Sequence, residues 1–307
     1  MATTNNLTTT YAGEFAGKYV SAALLSGKTL AEGNITVKPN VKYKEVMKKV
    51  ATDDIVKDAT CDFDATSTLT LTERILTPEE FQVNLQLCKK DFRADWEAVQ
   101  MGYSAYDNLP PSFSDFLIAH VADKVAQKME QNIWNGTNAT AGEFDGFKTT
   151  LLADGDVNDV AAGAVTSANV VSEVGKIVDA IPSAVYGSED LFIYVSNNIY
   201  RAYVRALGGF ATNVGAAGTD NKGTQWFNGG ALTYDGINVV LASGLADNTA
   251  VAAEKSNLFF GTGLMSDQNE VKVTDMADID GSQNVRVIMR FTAGIQHAIG
   301  GDIVLYS

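Results

Sequence analysis

A chain of 307 residues, 46% hydrophobic and 20% charged, can close one large core or two smaller ones and is too apolar to remain disordered. Its net charge of −14 weighs against a protein that grips DNA by its phosphates, because that grip needs a basic face that releases counterions. No run approaches the roughly 18 apolar residues of a membrane span, Met1–Thr10 lacks the parts of a signal peptide, and Cys61 and Cys88 stand far apart, so the expectation is a soluble, cytoplasmically made chain with two unpaired thiols.

Residues 1–30 are small and polar, with scattered anchors that include Phe15 and Tyr19. They hold too little apolar surface for a core of their own. Two readings fit: an arm that packs on a neighbour through Phe15 and Tyr19, or a frayed terminus. From Asn34 to Leu76 the pattern alternates. Ile35–Val37 and Val41–Tyr43 have period two around a Pro39-Asn40 break, Lys48-Lys49 and Asp53-Asp54 flank a third strand, and Leu69–Thr72 forms a fourth. About 40 polar-faced strand residues before any major helix read as a long hairpin laid over another subunit. Charge is uneven along the chain: residues 28–57 hold seven lysines against four acids, while 58–307 hold 15 basic and 32 acidic side chains. Lys42, Lys44, Lys48 and Lys49 are therefore candidate contacts with an acidic neighbour. The alternative is that they are solvated lysines guarding an edge strand.

Phe81, Val83, Leu85 and Leu87 alternate with polar residues as a half-buried strand, and Lys89–Met101 has helical spacing through Phe92, Trp96 and Val99. Pro110-Pro111-Ser112 then signals a helix start. Phe113, Leu117, Val121, Val125, Met129 and Ile133 recur every four residues, while Asp115, Asp123, Lys124, Lys128 and Glu130 largely avoid that stripe. The spacing predicts a helix over 112–134, about 33 Å long at roughly 1.5 Å per residue. Asn135-Gly136 is expected to end it in the left-handed conformation, and Phe144-Asp145-Gly146-Phe147 to begin a strand.

Residues 148–165 read as a Gly/Ala/Asp-rich link between domains. Beyond them Val170, Val171, Val174, Ile177, Val178 and Ile181 mark a helix stopped by Pro182, and Leu191–Val195 a central strand. Asn197 is placed to cap a helix carrying Ile199, Tyr200, Tyr203, Val204 and Leu207. The glycine-rich stretch 208–230 is too long for an ordinary connection, so a functional or partner-contacting loop is expected there. Strands follow at Ile237–Ala242, Leu258–Phe260, Val271–Thr274, Val285–Thr292 and Ile303–Tyr306.

Catalytic signatures are missing. His120 and His297 lie far apart, and neither is assigned a catalytic or ligand role. The chain has no zinc ligand pairs, phosphate loop, nucleophile elbow or His-Glu-x-x-His pair. Gly261-Thr262-Gly263 reads as a turn, and Glu79-Glu80 after Pro78 as a turn or helix-start signal. Asp275, Asp278 and Asp280 could ligate calcium, but the terminal Glu of a calcium loop is absent and a solvated turn fits better. No cofactor or metal is expected.

One resemblance remains. The long helix ends Gln131-Asn132-Ile133-Trp134-Asn135-Gly136 and leads through a short turn to Phe144-Asp145-Gly146-Phe147. With the segments Val251–Gly263 and Val285–Gln296, this order and spacing resembles the major capsid proteins of tailed bacteriophages, the Johnson-type capsid fold, from about residue 30 onward. The resemblance implies an α+β fold with an N-terminal arm (1–32), an extended β-hairpin loop (33–76) and a peripheral domain (77–165) whose spine helix is 112–134. An α/β axial domain (166–265) would follow, with strands returning to the peripheral domain (266–296) and a last strand (297–307) in the axial domain. It also implies a structural protein, not an enzyme, that self-assembles as hexamers and pentamers into an icosahedral shell enclosing double-stranded phage DNA without specific binding. Scaffolding and portal proteins would be partners, a membrane would not, and the location would be the virion capsid after synthesis in the host cytoplasm. Some members cross-link a Lys to an Asn of a neighbour, but no Lys or Asn here aligns with that site. Two alternatives stay open: a bacterial nanocompartment shell protein of the same fold, and an α/β enzyme with its site near loop 208–230. Against the enzyme stands the lack of a convergent His, Cys or Ser constellation.

Overall fold

A computed structural model of the chain describes residues 28–41, 43–52, 56, 58–59, 61, 69–88, 111–207, 232–263, 270–276 and 281–307. Phe15, Tyr19, Lys42, the segment 89–101 and the loop 208–230 lie outside these residues, as do the side chains of Lys49, Phe113 and Leu117. The described helices are α1 (Lys28–Ala31), α2 (Pro111–Asn135), α3 (Phe147–Leu152), α4 (Val170–Asp179) and α5 (Asn197–Leu207). The first strands are β1 (Thr36–Lys38), β2 (Glu45–Thr52), β3 (Leu69–Leu76), β4 (Glu79–Cys88), β5 (Asn158–Val160) and β6 (Leu191–Val195). The remainder are β7 (Leu232–Tyr234), β8 (Ile237–Leu241), β9 (Ala250–Glu254), β10 (Leu258–Gly261), β11 (Glu270–Asp275), β12 (Asn284–His297) and β13 (Val304–Tyr306).

The first sheet is built on β12. Val285, Val287, Met289 and Phe291 are buried while Arg286 and Arg290 face solvent, the period-two alternation of a sheet covered on one side. The first ten residues of β12 pair antiparallel with β4 on one side, and β11 pairs along its other side. Its last four residues pair with β10, which runs parallel to β1. Gly294 lies where the β3–β4 corner crosses the strand, and a Cβ there would meet the Thr77 carbonyl at 2.9 Å. The second sheet has the order β5-β13-β9-β6-β8-β7. Its strand β6 reads as a continuous apolar run because both its faces are covered. Leu191, Ile193 and Val195 pack under α4 and α5 with Val174, Ile177, Ile199 and Tyr203, and Tyr194 enters the core around α2 on the other face.

Helix α2 spans 25 residues, one more at each end than the periodicity predicts. Val121, Val125, Met129 and Ile133 are buried, and with Trp134 they face Phe147, Met289, Phe291 and Phe260. Glu130 departs from expectation: it is buried, although charge placed it off the stripe. The helix ends differently too. Neither Asn135 nor Gly136 takes a positive φ. Gly136 is needed for close approach instead, since a Cβ there would run into the Phe144 carbonyl, and one on Gly146 would sit 2.5 Å from the Asn132 carbonyl. The two glycines are joined by a Gly146 N–H to Gly136 carbonyl hydrogen bond of 3.0 Å. The expected strand at Phe144–Phe147 is instead an extended approach to α3, with Phe147 its first, fully buried residue.

Other local readings need correction. Residues 148–165 hold α3 and the paired strand β5 where only a link was expected. Val41 and Tyr43 lie in no strand, and Val41 turns in under Leu76 and donates its N–H to the Thr262 carbonyl. Lys48 and Lys49 lie inside β2 and do not flank it. At α5 the side chain that receives the backbone N–H, that of Ile199, belongs to Asn198 and not to Asn197.

Candidate assembly surfaces

Strands β2 and β3 form a sheet of their own, in register from Glu45 opposite Leu76 to Thr52 opposite Leu69. Side chains alternate between its two faces. On one face near the root, Met47 and Leu76 are buried with Val41 against Phe259. The other face carries Val46, Leu69, Leu71 and Ile75, which are 45%, 62%, 56% and 46% exposed. Between them Lys48 lies 3.8 Å from Glu73, both exposed. Such a face is amphiphilic: apolar enough to gain from being covered, with an ion pair to fix register. A two-stranded hairpin is marginal in water unless it packs on something, and the buried cluster of Val41, Met47 and Leu76 lies at the root of this one. Lys44 and Tyr43 stand exposed beside it, with the ammonium 5.5 Å from the ring centroid.

The outer face of β4 and β12 is polar. Gln82, Asn84, Gln86, Arg286 and Arg290 are exposed there, and Arg286 Nε donates to Gln86 Oε1 at 2.9 Å.

Two buried polar clusters cross-tie the body. Glu130 of α2 accepts hydrogen bonds from the Thr29 backbone N–H at 3.1 Å and from the Thr29 hydroxyl, and the same hydroxyl accepts the Trp134 indole N–H at 2.8 Å. Gly244 lets the 242–245 turn touch the helix here, since a Cβ would collide with the Glu130 carbonyl. The second cluster joins Arg74 of β3, Asp154 after α3 and His297 at the end of β12. Asp154 Oδ2 receives the Arg74 guanidinium and stands 2.8 Å from His297 Nε2, while the Asp156 N–H donates to Oδ1 at 3.2 Å. Burial alone would raise the Asp154 carboxyl, but the His297 hydrogen bond, the Asp156 N–H and the Arg74 charge outweigh it and hold it below the ordinary range. Burial pushes the His297 imidazole down, and Arg74 adds to this against the pull of Asp154. His297 is therefore neutral near pH 7, donating from Nε2 to the carboxylate.

Sequence reading gave His297 no role and passed over Asp154 and Arg74, because three residues so far apart in the chain meet only through tertiary structure. In the first cluster the hydroxyls of Thr29 and, at 3.5 Å, Ser243 donate to the Glu130 carboxylate, and among the described residues neither is hydrogen-bonded to a histidine. His120 is exposed on α2, Cys61 is exposed, Cys88 is half-buried and both thiols are free. Asp278 and Asp280 lie outside the described residues, among which no group of three His, Cys, Asp or Glu could hold a metal ion. No described helix is long and apolar enough to cross a membrane.

No family model and no curated protein matches the sequence. Solved structures do match. The capsid of Myoviridae phage XM1 aligns at TM-score 0.58 and 12% identity, over 100% of this chain and 95% of that one. The capsid of the native GTA particle aligns at 0.59 and 14%, over 91% of this chain and 96% of its own. The virus-like particle of Pyrococcus furiosus aligns at 0.53 and 8%, over 94% and 96%. Identity this low carries the fold alone, and the fold it carries is that of the phage major capsid proteins.

Proposed function

We propose that the chain is a structural major capsid protein that self-assembles, as hexamers and pentamers, into an icosahedral shell enclosing double-stranded phage DNA. The observation that carries this is the exposed apolar face of the β2–β3 hairpin, a surface that gains stability only when another molecule covers it. Repeating one such contact from subunit to subunit, with a rotation that closes, gives a shell and not a fibre. In this reading residues 1–32 are an arm that contacts a neighbour through Phe15 and Tyr19. The hairpin, within the extended loop 33–76, lies across an acidic neighbour, with Lys42, Lys44, Lys48 and Lys49 supplying attraction at the rim. Residues 77–165 and 266–296, with the long helix and most of the β12 sheet, form the peripheral domain, and 166–265 and 297–307, with most of the second sheet, surround the symmetry axes; β5 and β10 cross that division, each pairing in the other part's sheet. Scaffolding and portal proteins act in assembly, which proceeds in the host cytoplasm and ends in the virion. The chain does no catalysis. Its negative charge suits a wall that holds DNA without gripping it.

The likeness to the Pyrococcus furiosus virus-like particle favours a second reading, a nanocompartment shell around protein cargo. Negative-stain microscopy of the purified protein tests for shells of either kind. Nuclease-protected DNA inside shells recovered from the native host supports the first reading, and co-purifying enzyme cargo without DNA supports the second. Monomers or small open oligomers under all assembly conditions would overturn both.

A further inference from the structure

We propose that the Arg74–Asp154–His297 cluster sets the angle at which the β2–β3 hairpin leaves the body, and that acid releases this setting. The inference rests on the hairpin being an assembly element.

The hairpin's backbone ladder is internal, so its angle depends on what grips its root. Leu76 is fully buried against Gly261, where a Cβ would lie 2.6 Å from Leu76 Cδ2, and this contact acts as the pivot. A pivot alone leaves rotation free. The Gln296 side-chain amide donates to the Ile75 carbonyl at 3.2 Å, and two ion pairs cross to the body: Glu45 with Lys38, and Arg74 with Asp154. The first is 36% and 29% exposed and therefore screened; in the second, Asp154 is only 12% exposed and is held from behind by His297 at 1%. Gly300 completes the seat, since a Cβ there would collide with the Asp154 carboxylate. Arg74 is thus held by a carboxylate that is itself fixed by α3, β12 and the turn at Gly300.

The imidazole makes this grip responsive. The charged or titratable groups around it are Asp154, Arg74 and, on the same turn as Asp154, Asp156. With Nε2–H committed to Asp154, a second proton must go to Nδ1, which is buried and has no hydrogen-bond partner. Protonation would place a second positive charge beside Arg74 and an unpaired N–H in the interior. Departure of Arg74, the most exposed member at 27%, relieves the charge repulsion.

Spin labels at Leu71→Cys on the hairpin and Asp123→Cys on α2, in a Cys61→Ser/Cys88→Ser background, read the angle as a distance distribution in the unassembled subunit. The parent should give one narrow peak at about pH 8 and lose it on acidification below the ordinary imidazole value of about 6.5. Asp154→Asn should lose it at both. His297→Gln, which keeps a donor toward Asp154 but does not titrate, should keep it at both. Arg74→Gln, on the solvent side of the cluster, gives the same test as Asp154→Asn should that variant fail to fold. A narrow parent-like peak in Arg74→Gln, or acid broadening that survives in His297→Gln, overturns the inference. Microscopy of the same samples separates it from the shell reading: normal shells with unchanged distances refute the hinge alone, whereas a parent that never assembles refutes the shell and leaves the distance result standing.

Discussion

Replacing Leu69 and Leu71 together by serine would test whether the hairpin face is an assembly surface. Fully burying one Val, Leu or Ile side chain contributes about 1.5–3 kcal/mol. Val46, Leu69, Leu71 and Ile75 are each roughly half exposed in the free subunit, so covering what remains of all four is worth about 3–6 kcal/mol per hairpin. The two leucines carry half of that, about 1.5–3 kcal/mol, or roughly a 10- to 150-fold loss in each contact's association constant. Multiplied around a closed shell, this should raise the concentration at which shells appear well beyond tenfold. The subunit itself should not notice, since both side chains already face water. Sedimentation velocity across a concentration series reads the assembly threshold, and a thermal melt by circular dichroism reads folding. An unchanged threshold would show that this face is left bare in the assembled state. A melt lowered by several degrees would show that the hairpin is held within its own subunit.

Three further outcomes are expected. Deleting residues 1–27 should leave the melt unchanged while preventing closed shells; extending the deletion through Ile35 should cost several kcal/mol, because it removes buried Leu30 and Ile35 and takes both Thr29 donors from the buried Glu130 carboxylate, as urea unfolding would show. Gly146→Ala and Gly136→Ala should each destabilise by about 2–4 kcal/mol or yield insoluble protein, since a carbonyl oxygen occupies the place of the new methyl group; soluble variants with parental urea midpoints would contradict this. Stability should fall as pH drops through about 6.5, because a His297 whose folded pKa is depressed takes up its proton more readily in the unfolded chain. The Asp154 contribution, from a carboxyl depressed in the folded state, stays complete above its unfolded value of 3.8 and is lost only below it. Urea unfolding of His297→Gln should therefore show a flatter profile between about pH 7 and 5 than the parent.

What the sequence revealed followed periodicity. A stripe at four-residue spacing located α2 to within one residue at each end, and alternation or unbroken apolar runs located β4, β6, β10 and β12. Short strands were missed where their partners are distant: β5 is three residues of Asn-Asp-Val, stabilised as a strand only by lying beside β13. β9, Ala-Val-Ala-Ala-Glu, lacks the bulky side chains that mark a strand because helices and sheet crowd it closely from both faces. Glu130 shows the limit most clearly. Nothing local distinguishes it from Asp123 or Lys128 on the same helix; its burial depends on Thr29, a residue 101 positions away. Gly136, expected to end α2 in the left-handed conformation, serves close backbone approach instead, as Gly146 does, and spacing alone does not tell these two uses of glycine apart.

The position of β13 has a consequence for biosynthesis. Val304, Leu305 and Tyr306 are fully buried between β5 and β9, so the second sheet has an open slot until residue 306 has left the ribosome. Strand pairings between residues so distant in the chain form slowly, because closing a long loop costs entropy before any contact repays it. Nascent chains crowded on one message would thus be barred from completing the sheet that, in the shell reading, lies at the symmetry axes. Translation itself would delay association until β13 has emerged.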